Sequence, residues 1–294
     1  MTDYNSDEQH QIPVIPALEP VEGIDQLLTV SFIFPGEFVH RTNCFLIGDK
    51  WAKKLIIDPS PSDADEYQRL VNSLYFFNYS YSDIFITHHH PDHINFAQRL
   101  AKDFSIPIMI SEDSFQRLLK KFGQDSFENI TIKVVHEGEI VTHWNGQEVK
   151  VYEIPGHDEG QLALAPESMT WFLVGDLIQG EGLEAGSRAS TVVIGTEEGD
   201  MSKYFRTLER IIRLNPKYLL PSHGLALESV APLEKTLKHR KQREQEVLKL
   251  FKEGKTPDQM TKELYKLVNK ALWPLALENI KAHLKKLEQE GMLN

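Results

Sequence analysis

Apolar and polar positions follow three rhythms along the chain. Between about residues 24 and 58, short apolar runs are separated by turn-type residues, as in Leu27-Leu28-Thr29-Val30-Ser31-Phe32-Ile33-Phe34 and Cys44-Phe45-Leu46-Ile47, a pattern that predicts antiparallel strands. The spacing then becomes helical over residues 63–77. A strand through Ile84-Phe85-Ile86, a helix over 94–100, a strand over 106–110 and a helix over 114–122 follow, the order of a layered α/β body. Pro107 has no backbone N–H to donate, which predicts a place at the start of its strand or at a sheet edge. Asn145-Gly146, between Val141 and Val149, predicts a hairpin, since both residues tolerate positive φ. A helix over about 200–215 leads into the apolar Tyr218-Leu219-Leu220.

From Pro232 the pattern is helical throughout. One helix is predicted over 233–253 and stopped by Gly254. Thr256-Pro257-Asp258-Gln259 reads as a capping box with proline at the first helical position, opening a second. A third helix lies between Pro274 and Gly291, where Leu277, Ile280, Leu284 and Leu287 recur three or four apart, so the three predict a small bundle or winged helix. Residues 221–232 are the expected hinge.

Chemistry concentrates in Thr87-His88-His89-His90-Pro91-Asp92-His93, directly after the apolar Ile84-Phe85-Ile86. Neutral imidazole and carboxylate suit zinc or a similar first-row ion, and a strand running out into a loop lets alternate side chains converge. His88 and His90 point the same way from an extended backbone, Asp92 and His93 turn inward as the chain bends toward the helix, and His89 faces away. The four converging groups suit two metal ions better than one. A tag remnant would sit at a terminus, without the strand before and the helix after.

The pattern His-x-His-x-Asp-His resembles the signature of the metallo-beta-lactamase superfamily. His157 in Ile154-Pro155-Gly156-His157, Asp176 in Phe172-Leu173-Val174-Gly175-Asp176 and His223 in Leu219-Leu220-Pro221-Ser222-His223 look like its third, fourth and fifth motifs, in the family's order. The resemblance implies a first metal site of His88, His90 and His157, a second of Asp92, His93 and His223, and Asp176 as bridge. Two cations would then share a hydroxide available near neutral pH. Asp58, in Leu55-Ile56-Ile57-Asp58-Pro59, resembles the first motif, where the aspartate braces the histidine loop without touching metal. Ser60 and Ser222 stand where the family usually has glycine, which leaves the loop geometry and the preferred metal open. The tail is similar to the C-terminal winged-helix-like domain of the beta-lactamase-like-protein-2 group. The implied fold is an α/β sandwich, αββα, over residues 24–231, preceded by an extension over 1–23 and followed by a helical domain over 232–294.

Composition narrows the setting. The chain has 294 residues, 41% of them hydrophobic, enough for a sizeable core. No apolar run approaches the roughly 18 residues of a membrane span. The acidic, polar first residues are neither a signal peptide nor a mitochondrial-type presequence, so a cytoplasmic location is expected. The single Cys44 excludes an internal disulfide and lies outside every metal motif. Residues 232–294 carry 14 Lys and Arg against 9 Asp and Glu, while the preceding residues carry 18 against 34. An anionic polymer would therefore meet the tail first.

The expected activity is hydrolysis of an ester, thioester or phosphodiester by a metal-held hydroxide, with Asp92 also able to relay protons. Zinc is the expected ion, with manganese or iron as alternatives. Resemblance to the beta-lactamase-like-protein-2 group implies single-stranded RNA as substrate, and resemblance of the motifs to glyoxalase II implies a small thioester. Tyr204, in the helix before the fifth motif, is a candidate substrate contact with core packing as the alternative. Two further readings are iron-dependent redox chemistry, since persulfide dioxygenases and di-iron oxidoreductases resemble this fold, and a binding protein with structural metals.

Overall fold

A strand buried at every position must be covered on both faces. Lys54–Ile57 is buried throughout, and its neighbours alternate between two destinations. Leu55 and Ile57 join Leu27, Phe45, Ile47 and Phe85 in a core shared with Val149, Val151, Leu162, Leu164, Trp171 and Leu173. Ile56 points the other way, with Cys44, Leu46 and Ile84, onto Tyr67, Leu70, Leu74 and Leu100 of helices. The computed structural model describes residues 18–33, 41–180, 189–190 and 192–293. Phe34 and residues 1–17 of the expected extension lie outside the described residues.

Two sheets face one another across that shared core. The first has seven strands in the order Glu19–Pro20, Leu27–Ile33, Arg41–Ile47, Lys54–Ile57, Tyr81–Phe85, Ile108–Ile110 and Ile132–Val134. The second has six, in the order Leu227–Glu228, Tyr218–Pro221, Trp171–Gly175, Leu162–Pro166, Gln147–Glu153 and Ile140–Trp144. Helices Ala64–Phe77 and Ala97–Phe104 cover the first sheet, and helix Met201–Leu214 covers the second through Tyr204, Phe205, Leu208 and Ile211. The layers are αββα, as expected. Asn145 and Gly146, at φ 50° and 74°, make the expected turn between Ile140–Trp144 and Gln147–Glu153. Pro107 lies just before Ile108–Ile110, an interior strand, so it starts that strand and is not at an edge.

Three expectations change. Residues 18–23 belong to the body, because Glu19–Pro20 pairs with the next strand and Leu18 and Val21 are buried. The helix expected over 94–100 is broken into Pro91–Ile94 and Ala97–Phe104, with Phe96 left-handed at φ 62°. The break lets Asn95 reach back, its Nδ2 donating to the Pro61 carbonyl at 2.6 Å, while Phe96 stacks on Tyr67. Residues 221–232 are no hinge either. Leu227–Glu228 completes the second sheet, Asn43 Nδ2 donates to the carbonyls of Pro221 and Gly224, and Leu233 is buried in the core beneath helix Met201–Leu214.

The tail is three helices, Ala231–Lys252, Pro257–Leu264 and Trp273–Gln289. The capping box at Thr256 and Gln259 forms as its spacing predicts. Val247, Leu248, Leu250, Met260, Ile280 and Leu287 form a core of their own, whereas Ala282 packs into the body. The tail thus has its own centre and a fused flank. No helix among the described residues is long and apolar enough to cross a membrane.

Candidate metal centre

Asp58 and every expected metal ligand come after the end of a strand. Asp58 follows Lys54–Ile57, the histidine loop follows Tyr81–Phe85, His157 follows Gln147–Glu153, Asp176 follows Trp171–Gly175 and His223 follows Tyr218–Pro221. Two hydrogen bonds tie the sheets' ends together, Leu162 N donating to the Thr87 carbonyl at 2.8 Å and Asn43 N to the Ser222 carbonyl at 2.7 Å, while Ser222 N donates to Gly175 at 3.0 Å within the second sheet. Ser60 Oγ accepts from Asn95 N at 3.2 Å, so the serine that departs from the usual glycine ties the first motif to the histidine loop.

Two groups of ligand atoms result. One atom each from His88, His90, His157 and Asp176 lie within 4.8 Å of one another, and so do atoms of Asp92, His93 and His223. His88 Nε2 is 3.0 Å and His157 Nε2 3.2 Å from His90 Nδ1. Asp176 faces both groups, with Oδ2 at 3.2 Å from His223 Nε2 and 3.7 Å from His157 Nε2, and Oδ1 at 3.6 Å from His93 Nε2. Asp92 Oδ2 is 3.4 Å from His223 Nε2.

The opposite nitrogens are held from outside, which fixes each ring's orientation. His93 Nδ1 is 2.8 Å from Asp58 Oδ2, and the same carboxylate accepts from Thr87 N at 2.8 Å and Thr87 Oγ1 at 2.6 Å. His157 Nδ1 donates to the Val193 carbonyl at 2.8 Å and His223 Nδ1 to the Arg41 carbonyl at 2.7 Å. His90 presents Nδ1 inward and keeps Nε2 3.0 Å from Glu198 Oε2. His89 turns aside, with Nδ1 3.0 Å from Asp158 Oδ2 and Nε2 3.3 Å from Glu198 Oε1. With His90, these three also lie within reach of one another, but there the contact is made by the outer nitrogen of His90.

The residues fit a metal on two observations. His93 Nε2 and Asp176 Oδ1 are buried and make no hydrogen bond, a costly state for polar atoms unless something between them binds both. The charge states also suit. Burial, reinforced by His93 and His90, holds His88 well below the ordinary imidazole range, and burial lowers His157, so both are neutral imidazoles ready to coordinate. Burial would raise Asp176, but His223 and His93 outweigh it and keep the carboxyl well below its usual range. His93 differs: the carboxylates of Asp92, Asp176 and Asp58 outweigh burial and raise its ring well above the ordinary range, so a cation binding at Nε2 would have to displace a proton.

Tyr204 needs correction as a substrate contact. It is fully buried, its hydroxyl donates to the Leu177 carbonyl at 2.6 Å, and burial pushes its phenol up to about 12. It packs beneath the site instead of lining it. Glu198, which sequence reasoning missed, does line the site. Its carboxyl is drawn down to about 2, first by His90, and with His90 and His157 it borders a cavity of about 490 Å³. The other wall carries Glu278 and Lys281 of the last helix. Nothing in Glu197-Glu198-Gly199-Asp200 links that carboxylate to a histidine 108 positions earlier; the run reads as a polar lead into a helix.

Residues 38–223 match the metallo-beta-lactamase superfamily, and the chain belongs to it. Residues 256–292 match the beta-lactamase-associated winged-helix domain. Beta-lactamase-like protein 2 homolog of Drosophila melanogaster is 29% identical over 270 residues, 87% of this chain and 85% of that protein. A probable metallo-hydrolase of Bacillus subtilis is 25% identical over 276 residues, covering 80% of this chain and 84% of that one. A beta-lactamase domain protein from Burkholderia ambifaria superposes with a TM-score of 0.74 at 18% identity, over 95% of this chain and 91% of that one, and so shares the fold.

Proposed function

We propose that this chain is a hydrolase that uses two divalent metal ions against an ester, thioester or phosphodiester. The observation that carries the reading is Asp176, whose two oxygens face two different groups of histidines. His88, His90 and His157 would hold one ion, Asp92, His93 and His223 the other, with Asp176 shared between them. Bound there, the ions would supply Lewis acidity and lower the pKa of water toward neutrality. Zinc fits the mixture of imidazole and carboxylate best, with manganese or iron as the ions to exclude. The chain's own work is to hold the rings rigid through Asp58, Val193, Arg41 and Glu198, and to place the Asp92 carboxylate at the edge of the second group. The Bacillus subtilis relative's name as a probable metallo-hydrolase supports the same class.

The cavity favours a small substrate. Glu197, Glu198 and Glu278 line it against Lys281, a balance that repels a long polyanion unless bound cations offset it. Single-stranded RNA is the competing substrate, supported by Lys281 and Lys285 on one exposed face of the last helix. Metal analysis of the protein as isolated, alongside turnover of a thioester, a phosphodiester and single-stranded RNA, tests the reading. The expected result is two zinc ions per chain with hydrolysis of a small ester or thioester. Iron with oxygen uptake and no hydrolysis would replace it with a redox function.

A further inference from the structure

The C-terminal helices reach the histidines through one buried amide. Asn279, on Trp273–Gln289 and 8% exposed, accepts at Oδ1 from Ile194 N at 3.0 Å and from Arg240 Nη1 at 2.9 Å. Arg240, on Ala231–Lys252 and 2% exposed, donates its other amino group to the Val192 carbonyl. Both neighbours of Val193 are therefore gripped from the tail, and the carbonyl of Val193 is the acceptor for His157 Nδ1. The segment continues to Thr196, whose hydroxyl donates to Glu278 at 3.2 Å and whose carbonyl accepts Lys285 Nζ at 3.1 Å. It ends at Glu198, which holds His90 and is anchored on the body by Glu159 N at 2.9 Å. Residues 192–198 belong to no sheet, so the register of the Val193 carbonyl against His157 depends on what grips its neighbours.

We infer that Asn279, with Arg240, is a positioning residue for the metal centre: through residues 192–198 it orients His157 and His90 and sets the affinity of the His88, His90 and His157 group for its cation. The inference rests on reading those three histidines as ligands, and it makes the C-terminal domain a working part of the site. A buried arginine among neutral partners suits the role, because a planar guanidinium serves a carbonyl and an amide at once in a fixed geometry. Removing a group that orients a ligating histidine typically weakens metal binding by about 10–100-fold; Asn279 acts one contact further out, so about 10-fold is expected.

The test measures zinc affinity by chelator competition on the full-length protein, and the visible absorption of its cobalt-loaded form, which reports ligand geometry. Asn279→Leu keeps the volume and removes the acceptor. It should weaken one equivalent of zinc about 10-fold, the one that His157→Ala removes, and shift the cobalt bands. The other equivalent should hold, since His93 and His223 are braced by Asp58 and the Arg41 carbonyl, away from this segment. Asn279→Asp, which retains an acceptor for both donors, should restore most of the affinity. If Asn279→Leu does not fold, Asn279→Ser, too short to serve both donors, takes its place in the same measurements. Wild-type affinity and spectrum in the folded variant would overturn the inference, as would equal weakening of both equivalents, the mark of general loosening. Undiminished zinc binding by His157→Ala would instead remove the ligand assignment on which it stands.

Discussion

Asp176 has its leverage because one carboxylate serves two groups of imidazoles. Asp176→Asn preserves shape and removes the charge that holds two cations close. Bound metal should fall below two per chain and hydrolysis should drop sharply; full activity with two metals, by elemental analysis and rate, would place the bridge elsewhere. His89 separates ligand from brace. His89→Ala should keep both metals while removing the imidazole that lies 3.0 Å from the buried Asp158, and so lower stability in a denaturant titration. His88→Ala and His90→Ala should instead lose affinity at the first site. The alternation that sets His89 apart was legible in the sequence, since it follows from an extended backbone. The partners of the rings were not, because the carbonyls of Val193 and Arg41 carry no side-chain signal and Glu198 meets His90 only after folding.

At the scale of elements, the glycine before His157 shows why a motif needs a particular residue. Gly156 sits at φ 149°, and a Cβ there would stand 2.5 Å from Cα of Tyr204, a backbone atom of the helix Met201–Leu214. That helix cannot yield locally, so Gly156→Ala must push the strand end and helix apart. We expect a loss of more than about 1 kcal/mol of stability by denaturant titration, together with weaker zinc binding, because His157 moves with its neighbour. Retained zinc affinity would show that the loop absorbs the change. Element type was largely readable: Asp63 and Asp200 cap their helices where the polar-to-apolar change predicts. The broken helix after the histidine loop was not, because the break is made by Asn95 reaching Pro61 and Phe96 reaching Tyr67, contacts across separate segments.

For the whole molecule, the packing of the tail's first and last helices carries a pH signature. Glu244, buried on Ala231–Lys252, accepts from Lys286 Nζ at 2.8 Å and lies 3.3 Å from His283 Nδ1. Burial would raise its carboxyl, but His283 and Lys286 together hold it below the ordinary value. A depressed carboxylate contributes stability that is present above the unfolded pKa of about 4.3 and lost as pH falls through the lower folded value. Glu244→Gln should therefore lower the melting temperature at pH 7 and flatten its fall on acidification below about pH 5; a parallel acid limb in variant and wild type would count against the pair. Lys286 is thus committed inward, and the face offered to an anionic polymer is that of Lys281 and Lys285. Reversing both charges should weaken single-stranded RNA binding and flatten its salt dependence by about 0.7 in the log–log slope per lost phosphate contact; an unaltered slope would leave the tail a packing and positioning domain. The sequence by itself determined the kinds of candidate metal-binding side chain, their order along the chain, the alternation that turns His88 and His90 away from His89, and the change to helices after the second sheet, because order is covalent and alternation and helicity are local. Only the tertiary structure decided which outer partner holds each ring, that Tyr204 is core, and that the tail is fused to the site through Asn279 and Arg240, because such contacts join residues far apart in the chain whose meeting depends on how both sheets and all three tail helices pack.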